Sequence, residues 1–92
     1  MVKISEIRRT CFACPAQWEG KSESGYVYIR FRWGHLEVRF GSTIKDAIAG
    51  QVIFEWQDAD DSNGVMAYDE LKRTTADALL LPENEINEAF DR

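Results

Sequence analysis

The segment Gly25-Tyr26-Val27-Tyr28-Ile29-Arg30-Phe31-Arg32-Trp33-Gly34-His35-Leu36-Glu37-Val38-Arg39-Phe40-Gly41 alternates apolar and polar side chains over nearly its whole length. Val27, Ile29, Phe31 and Trp33 alternate with Tyr26, Tyr28, Arg30 and Arg32. Beyond Gly34-His35, Leu36, Val38 and Phe40 alternate with Glu37 and Arg39. A period of two on both sides of a short turn predicts a β-hairpin. Glycine at the first central position suits a type II′ turn. In that register Trp33 faces Leu36, Arg32 faces Glu37, Phe31 faces Val38, Arg30 faces Arg39, and Ile29 faces Phe40. One face of the hairpin is apolar. The other carries tyrosines and charges.

Upstream, residues 11–19 read as a strand with Phe12, Cys14, Ala16 and Trp18 on one face. Pro15 has no backbone donor, which places it on an edge or at a bulge. Downstream, Ser42 or Thr43 caps a short helix over 44–49 that Gly50 ends. Val52, Phe54 and Trp56 alternate with Ile53, Glu55 and Gln57 as a further strand. Residues 68–78 read as a helix with Leu71, Thr75 and Ala78 inward. Pro82 opens a last helix, favoured by its fixed φ and by Glu83 and Glu85 near the positive end of the helix dipole. Ile86, Ala89 and Phe90 form its apolar stripe. The expected fold is a single α+β domain over residues 1–92. It is an antiparallel β-meander of three to four strands, with two to three short helices packed on one face. Trp18, Phe31, Trp33, Phe54 and Trp56 are expected to share one aromatic core.

Length and composition agree with one folded domain: 92 residues, 45% of them apolar. No apolar run approaches the ~18 residues of a membrane span. The start, Met1-Val2-Lys3-Ile4-Ser5, has no apolar leader segment. The expectation is a cytoplasmic protein with reduced cysteines and no membrane contact. Charge is uneven. Residues 1–54 hold eight Lys/Arg against five Asp/Glu, a net +3, and residues 55–92 hold three against eleven, a net −8. That division argues against a uniformly basic nucleic-acid binder and leaves two oppositely charged surfaces for partners.

Four features invite a chemical reading. Cys11 and Cys14, the two cysteines, stand at CxxC spacing. A structural zinc site needs a second ligand pair, and a redox pair belongs at the start of a helix. Neither context is present, so both cysteines read as small structural residues. His35 is the single histidine and sits in a turn, without the pocket and partner that acid–base work needs. The loop Asp58-Ala59-Asp60-Asp61-Ser62-Asn63-Gly64 misses the calcium-loop register by one position, because Asn63 falls where that loop has glycine. Residues 74–90 have helix-turn-helix spacing, but Glu83, Glu85 and Glu88 would repel phosphate, which argues against direct DNA or RNA binding.

The run Cys14-Pro15-Ala16-Gln17-Trp18-Glu19-Gly20, followed by Val27-Tyr28-Ile29-Arg30-Phe31-Arg32-Trp33-Gly34, resembles a pattern of small bacterial and prophage-type proteins. The resemblance implies a small accessory protein. It brings no activity, cofactor or catalytic residue.

The residues themselves offer no paired carboxylates, nucleophile–base pair or phosphate loop, so the expectation is a binding protein without enzymatic activity, cofactor or metal. The candidate surface is the polar face of the hairpin: Tyr26, Tyr28, Arg30, Arg32 and Arg39. Tyrosine and arginine are favoured at binding hot spots. Arg30 opposite Arg39 would bring like charges together and call for an anion, either internal, such as Glu19 or Glu55, or supplied by a partner. The expected partner is another protein. Two rivals stand beside this reading. One is a phage-type inhibitor whose acidic C-terminal half mimics nucleic acid. The other is a zinc or redox module built on Cys11 and Cys14.

Overall fold

The computed structural model describes residues 1–60 and 62–87. The element order is β1 (Val2–Cys11), β2 (Ala16–Ser22), β3 (Tyr26–Arg32), β4 (His35–Gly41), α1 (Ile44–Ile48), β5 (Gln51–Gln57), α2 (Tyr68–Thr74) and β6 (Leu79–Leu80). The strands form one curled six-stranded sheet, an open half-barrel, in the order β5-β4-β3-β2-β1-β6. β1 to β5 run antiparallel to their neighbours, and β6 lies parallel to β1. Sheet and helix are mixed, as expected, but the proportions are not. Strand makes up 50% and helix 14%, so the expected meander of three to four strands with helices packed on one face is replaced by a six-stranded sheet with two short helices.

The difference has three local causes. β1 hides its period because it is bulged: Ile4 pairs with Ser22 but Glu6 already pairs with Lys21. Ser5 is the extra residue, so the buried Ile4 and Ile7 stand three apart rather than two. The same strand ends at Cys11, and β2 begins only at Ala16, so residues 11–19 are a strand end, a turn and a second strand. Phe12 and Cys14 therefore leave the apolar face and are exposed. In α2, Thr74 and Thr75 donate their hydroxyls to the carbonyls of Glu70 and Leu71, and the helix stops there instead of at residue 78. Leu79 then turns into β6 beside Val2. The helix expected from Pro82 is absent over residues 82–87, where Ile86 N donates to Ile7 O (2.8 Å) and the chain runs along the edge of β1. The remainder of that expected helix, with Ala89 and Phe90, lies outside the described residues.

The hairpin is present, with its turn one residue earlier than expected. Phe31 pairs with Leu36 and Arg32 with His35, so Trp33-Gly34 are the two turn residues. Their φ angles of 56° and 71° are those of a type I′ turn, whose twist matches the flanking strands. The shift keeps Val27, Ile29, Phe31, Leu36 and Val38 inward, moves Trp33 out into the turn, and changes every opposite pair. Arg30 faces Glu37, and Arg39 faces Tyr28. The expected Arg30–Arg39 contact does not exist.

The core lies on one face of the sheet, where Ile4, Ile7, Trp18, Val27, Ile29, Phe31, Leu36 and Val38 meet Met66, Leu71 and Leu79. Phe54 and Trp56 pack against it, partly buried, and the Trp56 ring lies 6.4 Å from that of Phe31. Trp33 is the exception to the expected aromatic core: in the turn it belongs to neither strand face and is 63% exposed.

Candidate functional site

The opposite face of the sheet carries the polar phase of each strand, and strand register sets it out in rows. One row runs Arg8, Glu19, Tyr28, Arg39 across β1 to β4. The next runs Gln17, Arg30, Glu37, Glu55 across β2 to β5. A shorter one at the hairpin end runs Arg32, His35, Gln57. Alternation of sign between neighbours is what cross-strand pairing favours. The exception is Glu37 directly opposite Glu55.

Much of this face is bonded within itself. Arg39 Nε donates to Glu37 Oε1 (2.6 Å) and its Nη1 to Gly50 O (2.9 Å). Arg8 Nη1 lies 3.8 Å from Glu19 Oε1. Gln17 Nε2 donates to Tyr28 Oη (2.8 Å). Burial holds the Tyr28 phenol above its ordinary pKa, with Glu19 and Glu37 adding to the rise and Arg30 and Arg39 opposing it. Of the five residues singled out from the sequence, then, Tyr28 and Arg39 are tied into the sheet, and Tyr26 is engaged as well.

Arg30 and Arg32 differ. Neither forms an ion pair among the described residues. Arg30 Nε is fully covered and has no acceptor, a state that it shares with Arg8 Nε among the described residues. Together with Trp33, His35, Glu37 and Gln57 they line a cavity of about 320 Å³. The Arg32 guanidinium sits 5.1 Å from the Trp33 ring centroid.

The hairpin tip that carries Trp33 is fastened to the loop after β5. Gly34 N donates to Asn63 O (2.7 Å), Asp58 N donates to Gly34 O (2.7 Å), and Gln57 Nε2 reaches Trp33 O (3.3 Å). Two acids of this loop serve the loop itself: Asp58 Oδ2 accepts from Asn63 and Asp60 Oδ1 from Ser62. The Ser62 hydroxyl and amide hold the Asp60 carboxyl below its usual range. The Cys14 turn joins the same end, since Cys14 N donates to Gly64 O (2.9 Å) and Ala13 bridges Val65. Three large apolar side chains are thereby exposed there: Phe12 (76%), Trp33 (63%) and Val65 (58%). Sequence reasoning missed all three, having placed Phe12 and Trp33 inside and given Val65 no role. The usable signal was Trp33-Gly34 itself, a pair in which glycine supplies the second positive φ of a type I′ turn.

Cys11 and Cys14 are unbridged, and Cys11 Sγ donates to Ala13 O at 3.6 Å. The one group of three ligand-type side chains among the described residues contains neither: it is His35, Glu37 and Glu55, with donor atoms within 4.8 Å of one another. His35 Nε2 is already 3.1 Å from Glu55 Oε1, and Glu37 is held by Arg39. A cation there would displace both contacts beside the guanidiniums of Arg30 and Arg39, so the group reads as an ion-pair network. Glu85, counted in the acidic half, points into the fold, where its Oε2 accepts from Trp18 Nε1 (2.6 Å) and Arg9 Nε (3.2 Å). No helix of the described residues is long and apolar enough to cross a membrane. No protein-family model, curated protein or solved structure matches the chain.

Proposed function

We propose that this chain is a small accessory protein of the cytoplasm that acts by binding another protein and has no catalysis of its own. It docks through the hairpin end of the polar sheet face: Arg30, Arg32 and Trp33 at the centre, with Tyr26, Tyr28 and Arg39 on the adjoining rows.

The observation that carries this reading is Trp33. A bulky residue at φ 56° is a backbone outlier, and it holds an indole in solvent beside two arginines that form no ion pair among the described residues. Residues kept in costly backbone regions tend to mark binding and switch sites. Tryptophan and arginine are also the side chains most enriched at interface hot spots. The tethers from Asn63, Asp58 and Gln57 fix the tip in place, so docking would lose little conformational entropy there.

The test is capture of the partner from the native host with tagged protein, identification by mass spectrometry, and affinity measurement with purified components. Trp33→Asn, which suits the turn, should keep the fold and weaken binding by at least about tenfold, the scale of a hot-spot loss. Unchanged affinity in a folded Trp33→Asn protein would move the docking surface away from the tip.

A further inference from the structure

Two arginine–tryptophan pairs stand on this sheet, and one shows what the other lacks. In the first, Arg9 lies 4.3 Å from the Trp18 ring centroid, and a single carboxylate oxygen, Glu85 Oε2, accepts from both Trp18 Nε1 (2.6 Å) and Arg9 Nε (3.2 Å). In the second, Arg32 lies 5.1 Å from the Trp33 ring centroid, and Arg30 is the next residue on the same strand face. No carboxylate pairs with either arginine among the described residues.

We infer that the cavity lined by Arg30, Arg32, Trp33 and His35 is a carboxylate-binding site, filled by a Glu or Asp side chain on an exposed segment of the docking partner. The inference rests on the docking surface proposed above and names its chemistry. Guanidinium forks match the two oxygens of a carboxylate, and an ionised acceptor makes the stronger class of hydrogen bond. Glu37 also lines the cavity, but its Oε1 is taken by Arg39 at 2.6 Å. With the groups in contact with the lining counted as well, the guanidiniums of Arg30, Arg32 and Arg39 stand against the carboxylates of Glu37 and Glu55, an excess of one positive charge. One carboxylate balances that charge, whereas a phosphoryl group near −2 would overshoot it. The exposed Trp33 ring offers an apolar residue next to the acid a surface to cover, as Trp18 does for Arg9.

The test is an NMR titration of the full ¹⁵N-labelled chain at low salt, following the Trp33 indole N–H and the Arg30 and Arg32 Nε–H signals. The probes are the blocked peptide acetyl-Ala-Glu-Phe-Glu-Ala-amide, its glutamine counterpart, and inorganic phosphate. The glutamate peptide should give saturable shifts at all three groups. The glutamine peptide should bind at least about tenfold more weakly, and added salt should weaken the glutamate peptide. Arg32→Gln should reduce affinity for the glutamate peptide to the level of the glutamine peptide. Arg30→Gln should do the same where it folds, and Arg32→Gln alone decides the matter where it does not. Equal binding of the two peptides, unchanged binding by Arg32→Gln, or tighter binding of phosphate than of the glutamate peptide would each overturn the carboxylate assignment. That result leaves the docking surface to its own test with Trp33→Asn, so the two readings fail separately.

Discussion

Trp18 and Trp33 occupy the apolar phase of their segments in the sequence and end in opposite circumstances. Trp18 sits in mid-strand, 0% exposed, with its indole N–H bonded to Glu85 and its ring covered by Arg9. Trp33 sits one residue beyond β3, 63% exposed, with Arg32 beside its ring and no carboxylate of the described residues closing the pair. The contrast shows how little separates a core residue from a surface one in a hairpin. A two-residue turn placed at 33–34 rather than 34–35 leaves Phe31 and Leu36 inward and puts the tryptophan in solvent. The first pair is a structural clasp that binds residues near the end of the described chain to β1 and β2. The second has the same arginine and indole, with no acid among the described residues to join them.

The sharpest way to break this contrast is to truncate both rings. Trp18→Ala should cost ~3–5 kcal/mol, the range for deleting a large aromatic from a packed core. Trp33→Ala should cost no more than about 1 kcal/mol, the worth of an exposed cation–π contact. Urea denaturation of the two variants reads both values. Comparable losses would show that Trp33 is packed after all and that the hairpin turns where the alternation alone suggested.

A second test acts on the clasp. Glu85→Gln removes the charge that Arg9 and Trp18 share, and the Arg9 side chain is only 10% exposed, so little water can compensate. The expected loss is ~1–3 kcal/mol, the range for orphaning a covered polar group. Denaturation in urea measures it, and loss of Trp18 fluorescence change on unfolding would report the local release. A variant within about 0.3 kcal/mol of the parent would mean that Glu85 is incidental to the fold.

Tyr68 sharpens the same side of the comparison through pH. Burial, then Glu85 and Asp69, push its phenol well above the ordinary tyrosine range, and its hydroxyl donates to Pro82 O (2.5 Å). A raised folded-state pKa means that the folded chain keeps a proton the unfolded chain loses. Stability from this group is therefore full below about pH 10 and falls as pH rises beyond it. Tyr28, also raised, contributes in the same direction. Denaturation curves taken between about pH 8 and 11 should show the decline, and Tyr68→Phe should flatten it. An equal decline in Tyr68→Phe would assign it to other groups.

What the sequence made legible follows from what its local patterns encode. Strict alternation in β3, β4 and β5 and the capping threonine of α1 were readable, and Thr43 does accept from Asp46 N at 3.1 Å. β1 was not readable, because a bulge at Ser5 replaces alternation with a spacing of three. β6 was not, because two residues beside Val2 form a strand only through pairing across the whole chain. Glu85 and Ile86 looked like the first turn of a helix, since no local rule shows that their partners are Trp18, Arg9 and Ile7. The polar face was legible as a set of residues, and Arg30 and Arg32 were in it. Its internal bonding was not, because a one-residue error in the turn exchanged Arg39 for Glu37 opposite Arg30.

The smallest expected effect is also the one that joins stability to binding. Trp33 at φ 56° bears the steric cost of a side chain in the left-handed region, ~1–2 kcal/mol for most L-residues. Asparagine tolerates that region because its short polar side chain bonds locally, and Asn-Gly is the favoured type I′ pair. Against this relief stands the loss of the Arg32–Trp33 contact, ~0.5–1 kcal/mol at an exposed site. Trp33→Asn should therefore stabilise the fold slightly, by about 0.5 kcal/mol, and Trp33→Gly by less because glycine also loosens the unfolded chain. Trp33→Ala gains neither advantage and should rank below both. The order Asn, Gly, Ala in urea midpoint, with partner affinity reduced in all three, would show that the tip gives up stability to keep an indole in solvent. Trp33→Asn less stable than the parent would show instead that the ring is held by contacts of its own, and the tip would lose its claim to be a docking site.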